Sequence, residues 1–185
     1  MDLTEKTLKS EPVFKGRVID LRVDTVELPD GNVSTREVIA HPGGVCVLAV
    51  DDDKNVFMVR QYRYPTKQIL FEIPAGKLEY GEDYFEAAKR ELEEEAGVIA
   101  ENYVYLGYFY PTPAYCEEKI HMYFASGLTK TMQNLDDEEF LEVEKIPYDK
   151  LLEMINKGEI IDGKTALAAL RAREYIKGEK NYGKQ

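Results

Sequence analysis

The chain has 185 residues, 44% of them hydrophobic and 32% charged, and carries a formal net charge of −11. That length suits one ordinary domain with a small extension, and the apolar content excludes a disordered chain. The acidic excess argues against nucleic acid or an anionic membrane surface as a partner, because both need basic patches. It serves either to gather divalent cations or simply to keep the protein in solution.

In chain order, segments 13–28 and 33–39 are β-like, with Val, Ile, Leu and Thr interleaved with charges. Pro29-Asp30-Gly31-Asn32 between them reads as a hairpin turn, since Gly and Asn tolerate positive φ. His41-Pro42-Gly43-Gly44 breaks the chain before an apolar strand at 45–50, a turn at 51–55 and a returning strand at 56–59. A short strand near 70–73 leads into Pro74-Ala75-Gly76. From Asp83 to Ala96, Phe85, Ala88, Leu92 and Ala96 recur at helical spacing, and Gly97 follows where a helix C-terminus favours it. Strands are expected at 103–109, 119–126 and 139–146, then helices at about 148–157 and 164–177. This is an α+β domain, with residues 1–42 as a strand-rich subregion and 43–185 as the main body.

Cys46 lies in the apolar run Val45-Cys-Val-Leu-Ala-Val50, so it reads as a reduced core thiol, and Cys116 is the only other cysteine. The N-terminal residues lack the apolar segment of a secretion signal, and no stretch approaches the ~20 apolar residues of a membrane span. The expected location is the cytoplasm.

Glu91 and Glu95 are four apart on one helix face, with Glu94 beside them. Three clustered carboxylates repel one another, so the face is either well solvated or a site for a hard divalent cation with oxygen ligands. Arg90, four before Glu94 and eight after Glu82, is placed to tether the preceding loop. Gly76 and Gly81 allow turns closed to other residues, and the 74–76 carbonyls are expected to point at the start of the helix.

Gly76, five residues, Glu82, seven residues, then Arg90-Glu-Leu-Glu-Glu-Glu-Ala-Gly-Val98 resembles the Nudix box at every defined position. The resemblance implies an α/β/α sandwich with a mixed sheet and hydrolysis of a P–O–P bridge. It also implies Mg²⁺ or Mn²⁺ on Glu91, Glu95, Glu94 and the Ala75 carbonyl, with Gly76, Glu82, Arg90 and Gly97 mainly structural. Thr35-Arg-Glu-Val38, His41-Pro-Gly43, Gln61-Tyr-Arg63, Leu70-Phe-Glu-Ile-Pro-Ala-Gly76 and Pro113 look like the ADP-ribose pyrophosphatase branch; Ala114 stands where a Gly is often found. The substrate expected is therefore a nucleoside diphosphate, ADP-ribose ahead of GDP-mannose or another nucleotide sugar; a silent sensor module is the reading from another class. Arg36 and Arg63 can pair with a diphosphate in two-point geometry. Glu72 belongs to the same substrate-side set, and Tyr115 or Tyr110 offers a ring for adenine beside Pro113; for these tyrosines and Arg36, packing or surface roles are the plain alternatives. The branch implies a homodimer completed by exchanged N-terminal strands. It also implies a general base on a late acidic loop, here Glu138, then Glu139, while a solvated charge run is the plain alternative.

Gly158 to Thr165 also matches a phosphate-binding loop pattern. Without a buried strand before it or parallel units after it, the stretch reads as a link between two helices, with Asp162 capping the second.

Overall fold

In the computed structural model, which describes residues 1–135, 137 and 139–178, seven strands precede the first helix. They are β1 (Lys6–Lys15), β2 (Asp20–Glu27), β3 (Val33–Ala40), β4 (Gly44–Ala49), β5 (Asn55–Arg63), β6 (Gln68–Glu72) and β7 (Ala75–Lys77). Helix α1 (Tyr84–Ala96) is followed by β8 (Val98–Phe109), β9 (Ile120–Lys130) and β10 (Leu141–Pro147). Helices α2 (Tyr148–Asn156), α3 (Gly163–Arg171) and α4 (Arg173–Ile176) complete the described chain.

Two compact units are formed: residues 1–43 with 110–119, and residues 44–109 with those from 120 onward. In the first, β1, β2 and β3 make an antiparallel sheet in that order. The β-like segment 13–28 holds the end of β1 and all of β2, divided where the Gly16 N–H turns back to the Ile19 carbonyl at 2.8 Å. β1 begins well before residue 13 and is exposed along its whole length, so no burial imposes the alternation by which a strand is read from sequence. The hairpin lies where turn chemistry puts it: the Leu28 N–H donates to the Asn32 carbonyl at 2.8 Å, and Gly31 takes a φ of +84°. Residues 110–119 join this unit through Ile39, whose N–H donates to the Tyr115 carbonyl at 2.8 Å.

The second unit holds a three-stranded sheet, β10-β5-β6, and a four-stranded mixed sheet, β7-β4-β9-β8, in which β4 and β9 run parallel. β4 is buried on both faces, and period-two alternation divides its side chains between two cores. Val45, Val47 and Ala49 pack with Ala88 and Leu92 of α1. Cys46 and Leu48 pack with Leu151 of α2 and Ala168 and Ala169 of α3. Helices on both faces of a mixed sheet make the α+β sandwich. The C-terminal helical stretch breaks at Ala172, whose N–H bonds the Ala168 carbonyl at 2.9 Å. Among the described residues no helix is long and apolar enough to cross a membrane.

Leu92 has no solvent exposure and joins α1 to the sheet. Leu92→Ala is expected to cost about 2–5 kcal/mol, read as a lowered midpoint of urea unfolding with an unchanged slope.

Candidate active site

Local signals fix both ends of α1. Asp83 Oδ1 accepts the Phe85 and Glu86 N–H groups at 2.9 and 3.1 Å, and Gly97 closes the helix in the left-handed region at φ +62°. With Ala88 and Leu92 turned to the core, Glu91 and Glu95 fall on the flank that meets β7. Glu95 is buried, and its Oε2 accepts the Ala75 N–H at 2.8 Å. The Glu91 carboxylate lies against Gly76, where an added Cβ would stand 2.0 Å from it.

The loop is held differently from expectation. The Pro74 carbonyl accepts the Val47 N–H at 2.9 Å inside the sheet, so it is not free to face the helix, and the Ala75 N–H donates to Glu95 Oε2 at 2.8 Å. The loop is thus registered by β4, a strand that local sequence does not connect to it.

Arg90 gathers the acidic groups. Its Nε and Nη2 donate to Glu82 at 3.0 and 3.2 Å, and Nη1 lies 2.8 Å from both Glu91 Oε1 and Glu94 Oε2. Glu82 also accepts the Glu79 N–H at 2.9 Å, which ties the turn after β7 to the helix. The three glutamates therefore do not simply repel one another; one guanidinium offsets two of them. Burial, with Glu94 and Glu139 nearby and only part of it offset by Arg90, pushes the Glu91 carboxyl up to about 7. Burial, with Glu139 and Glu91 adding to it, pushes Glu95 up to about 8 despite the Ala75 N–H.

A buried and a half-buried carboxylate against a glycine backbone suit a hard cation, because positive charge would relieve the burial penalty that each carries. No three His, Cys, Asp or Glu side chains among the described residues converge as a full metal cage. Mg²⁺ does not demand one: it is usually held by one or two carboxylates with waters and substrate phosphates completing the shell. The residues fit such an ion. Gly76→Ala is expected to leave the fold intact, since the Glu91 carboxylate is the end of a flexible chain, yet to displace that carboxylate. Activity should fall about 10- to 100-fold with a near-native melting temperature, measured side by side.

Glu138 lies outside the described residues. Glu139 is described: its Oε1 accepts the Gln61 amide at 3.2 Å, and its charge contributes to the raised values of both Glu91 and Glu95.

The residues expected to hold substrate fall into different units. Arg36, on β3, is paired with Glu5 across the first sheet, its Nε 2.9 Å from Glu5 Oε2. Pro113 lies in the 110–119 segment, where Tyr110 and Tyr115 are both exposed. In the second unit Arg63 reaches back from β5 to Glu72 in a two-point pair, 2.7 Å at each contact. Glu72 is buried and is also bonded by Lys164, whose ammonium lies 3.1 Å from Asp162 Oδ1. Asp162 caps α3 through the Thr165 N–H, and the Thr165 hydroxyl accepts the Ile73 N–H at 2.9 Å.

Lys164, Asp162 and Thr165 thus clamp the strand end that leads into Ala75. Sequence reading gave Asp162 its cap but assigned nothing to Lys164. The available signal was a Gly-Lys-Thr triplet opening an otherwise apolar helix.

Comparison with known proteins agrees with this geometry. The NUDIX domain model matches residues 40–168, and that of the nucleoside diphosphate sugar hydrolase N-terminal domain matches residues 5–39. A methanol dehydrogenase activator of Bacillus methanolicus is 44% identical over 177 residues, 94% of this chain and 96% of that protein. An ADP-ribose pyrophosphatase of Bacillus subtilis is 42% identical over 182 residues, 96% of this chain and 98% of that one. A solved structure described as an ADP compounds hydrolase superposes with a TM-score of 0.84 at 23% identity, over 97% of this chain and 98% of that one, a likeness of fold. With a family match across most of its length and an acidic helix built against a glycine strand, the chain belongs to the Nudix hydrolase family.

Proposed function

We infer that this protein hydrolyses the pyrophosphate bond of ADP-ribose, giving AMP and ribose 5-phosphate, with Mg²⁺ or Mn²⁺. The observation that carries the reaction is the half-buried Glu91 and buried Glu95 packed on Gly76 and Ala75. Support for the substrate comes from the full-length relative named ADP-ribose pyrophosphatase.

Glu91, Glu95 and the Ala75 carbonyl would hold the cation, with Glu94 as a further ligand. When bound, the cation polarises phosphoryl oxygens and makes a water more acidic. Arg90 fixes the acidic side chains and links them to Glu82. Arg63 spends Nε and Nη2 on Glu72, which orients its third nitrogen for a phosphoryl oxygen. Within the first unit, Arg36 is the candidate for pairing with a diphosphate, and Tyr115 beside Pro113 the candidate for stacking on a base. A water oxygen bonds to phosphorus, the bridging P–O bond breaks, and the water's proton passes to the carboxylate of Glu138 or Glu139.

Glu139→Gln and Glu138→Gln separate those two. The true base loses about 10²–10⁴ in kcat, whereas the other leaves it near wild type, and intact kcat in both would remove the base from this loop. Residues 1–42 serve as the dimerisation region, supported by the exposed apolar Leu8, Val13 and Phe14 of β1. Sedimentation as a monomer at micromolar concentration would count against that. Two free cysteines suit a cytoplasmic, reducing location.

The deciding experiment is product identification for ADP-ribose, GDP-mannose and other nucleotide sugars in ¹⁸O-labelled water, with Mg²⁺ and with chelator. AMP release from ADP-ribose that chelator abolishes supports the reading. Turnover of GDP-mannose but not ADP-ribose would move the substrate, and no turnover of any of them would favour a sensor.

A further inference from the structure

At the C-terminal end of α1 lies a cavity of about 460 Å³, between the α1–β8 junction, β9 and β10. None of the glutamates of the active site lines it. Its volume is in the range of small-molecule pockets, and its wall is largely apolar, with Phe57, Leu128 and Val143 supplying the larger side chains.

The polar groups in the wall are few and specific. Asp51 and Lys145 pair at 2.9 Å, and that lysine also sits 4.4 Å from the centre of the Phe57 ring. Lys130 carries the positive charge that this pair leaves over. The Thr131 hydroxyl is buried and has no hydrogen-bond partner among the described residues. One net positive charge over an apolar floor suits a singly charged oxyanion on an apolar body. A phosphate, with nearly two charges at neutral pH, would be less well matched than a carboxylate.

The same residues grip the catalytic helix. The Thr131 N–H donates to the Gly97 carbonyl at 2.8 Å, the Gln133 amide to the Glu95 carbonyl at 2.7 Å, and the Asn134 N–H to the Glu94 carbonyl at 3.0 Å. Thr131 and Gln133 both line the cavity, so a ligand seated there touches the strap on the helix turn that bears Glu94 and Glu95.

We propose that this cavity is an effector site for a small monocarboxylate with an apolar body, and that its occupancy is transmitted to the last turn of α1. The test is a backbone amide NMR titration of the full chain with 4-phenylbutyrate and with its uncharged counterpart, 4-phenylbutan-1-ol. Expected are shifts centred on Gly97 and residues 130–133 that extend to the Glu94 and Glu95 amides, and binding of the alcohol at least about tenfold weaker.

Val143→Trp, at a partly exposed position on β10, fills the cavity and should abolish those shifts. Lys130→Glu should weaken binding by a further tenfold or so, and it tests the charge should the filled variant fold poorly. The proposal is overturned by no shift at about 10 mM acid, by shifts centred elsewhere, by equal affinity for the alcohol, or by unmoved Glu94 and Glu95 amides. None of these readouts depends on which nucleotide is hydrolysed.

Discussion

Glu91→Gln and Glu95→Gln are each expected to lower kcat/KM by roughly 100- to 1,000-fold while the protein stays folded. The size follows from charge stabilisation worth several kcal/mol at the transferring phosphoryl group, with each 1.36 kcal/mol counting for a factor of about ten. The fold should tolerate the change because glutamine keeps the shape of glutamate. Its amide oxygen can still accept the Ala75 N–H, the bond that holds β7 to α1. Removing a buried negative charge also removes the burial penalty that pushes both carboxyls up. Activity with added Mg²⁺ and thermal melting of the metal-free proteins measure the two halves. A variant with full activity would take that glutamate out of the proposed metal site, and a collapsed fold would mean that its role is structural.

Glu72→Ala is the second large effect, and it falls on stability. Glu72 is almost completely buried between the Arg63 guanidinium and the Lys164 ammonium, and Lys164 itself is mostly buried. Truncation leaves that ammonium with Asp162 alone, 3.1 Å away. Breaking one partner of a buried ion pair costs about 3–5 kcal/mol, measured as a lower urea midpoint at constant slope.

The same network sets an acid limit. Burial raises the Glu72 carboxyl, but Arg63 and Lys164 outweigh it and hold the group below its ordinary 4.5. A depressed carboxyl contributes stability that is present above about pH 4.5 and is lost as the pH falls through the folded value. Wild-type protein should therefore weaken steadily below that pH, and Glu72→Gln should flatten this limb of the curve.

Much of the active-site helix was legible because its determinants are local. Asp83, the spacing of Ala88, Leu92 and Ala96, and Gly97 act within one or two turns of backbone, and the structure has α1 ending on that glycine. β4 was legible for a related reason: six buried residues in a row can only be a central strand or a buried helix, and flanking glycines shorten the choice. Where burial imposes no pattern, the reading lost its way. β1 is wholly exposed, so the β-like segment starting at 13 missed where the strand begins, at Lys6. The three residues of β7 are too few to show any period.

The Gly76 to Val98 segment, by itself, determined the class of chemistry: which carboxylates share a helix face, where the helix starts and stops, and which arginine lies among them. Partnership across distant segments was decided only by tertiary structure. That Ala75 meets Glu95 with its N–H and that Lys164 reaches Glu72 from 92 positions away depend on packing that brings distant segments together, whereas Arg90 meets Glu82, Glu91 and Glu94 within one helix and the turn before it. Hydrogen bonds and ion pairs act over about 3 Å of space, whatever the distance along the chain.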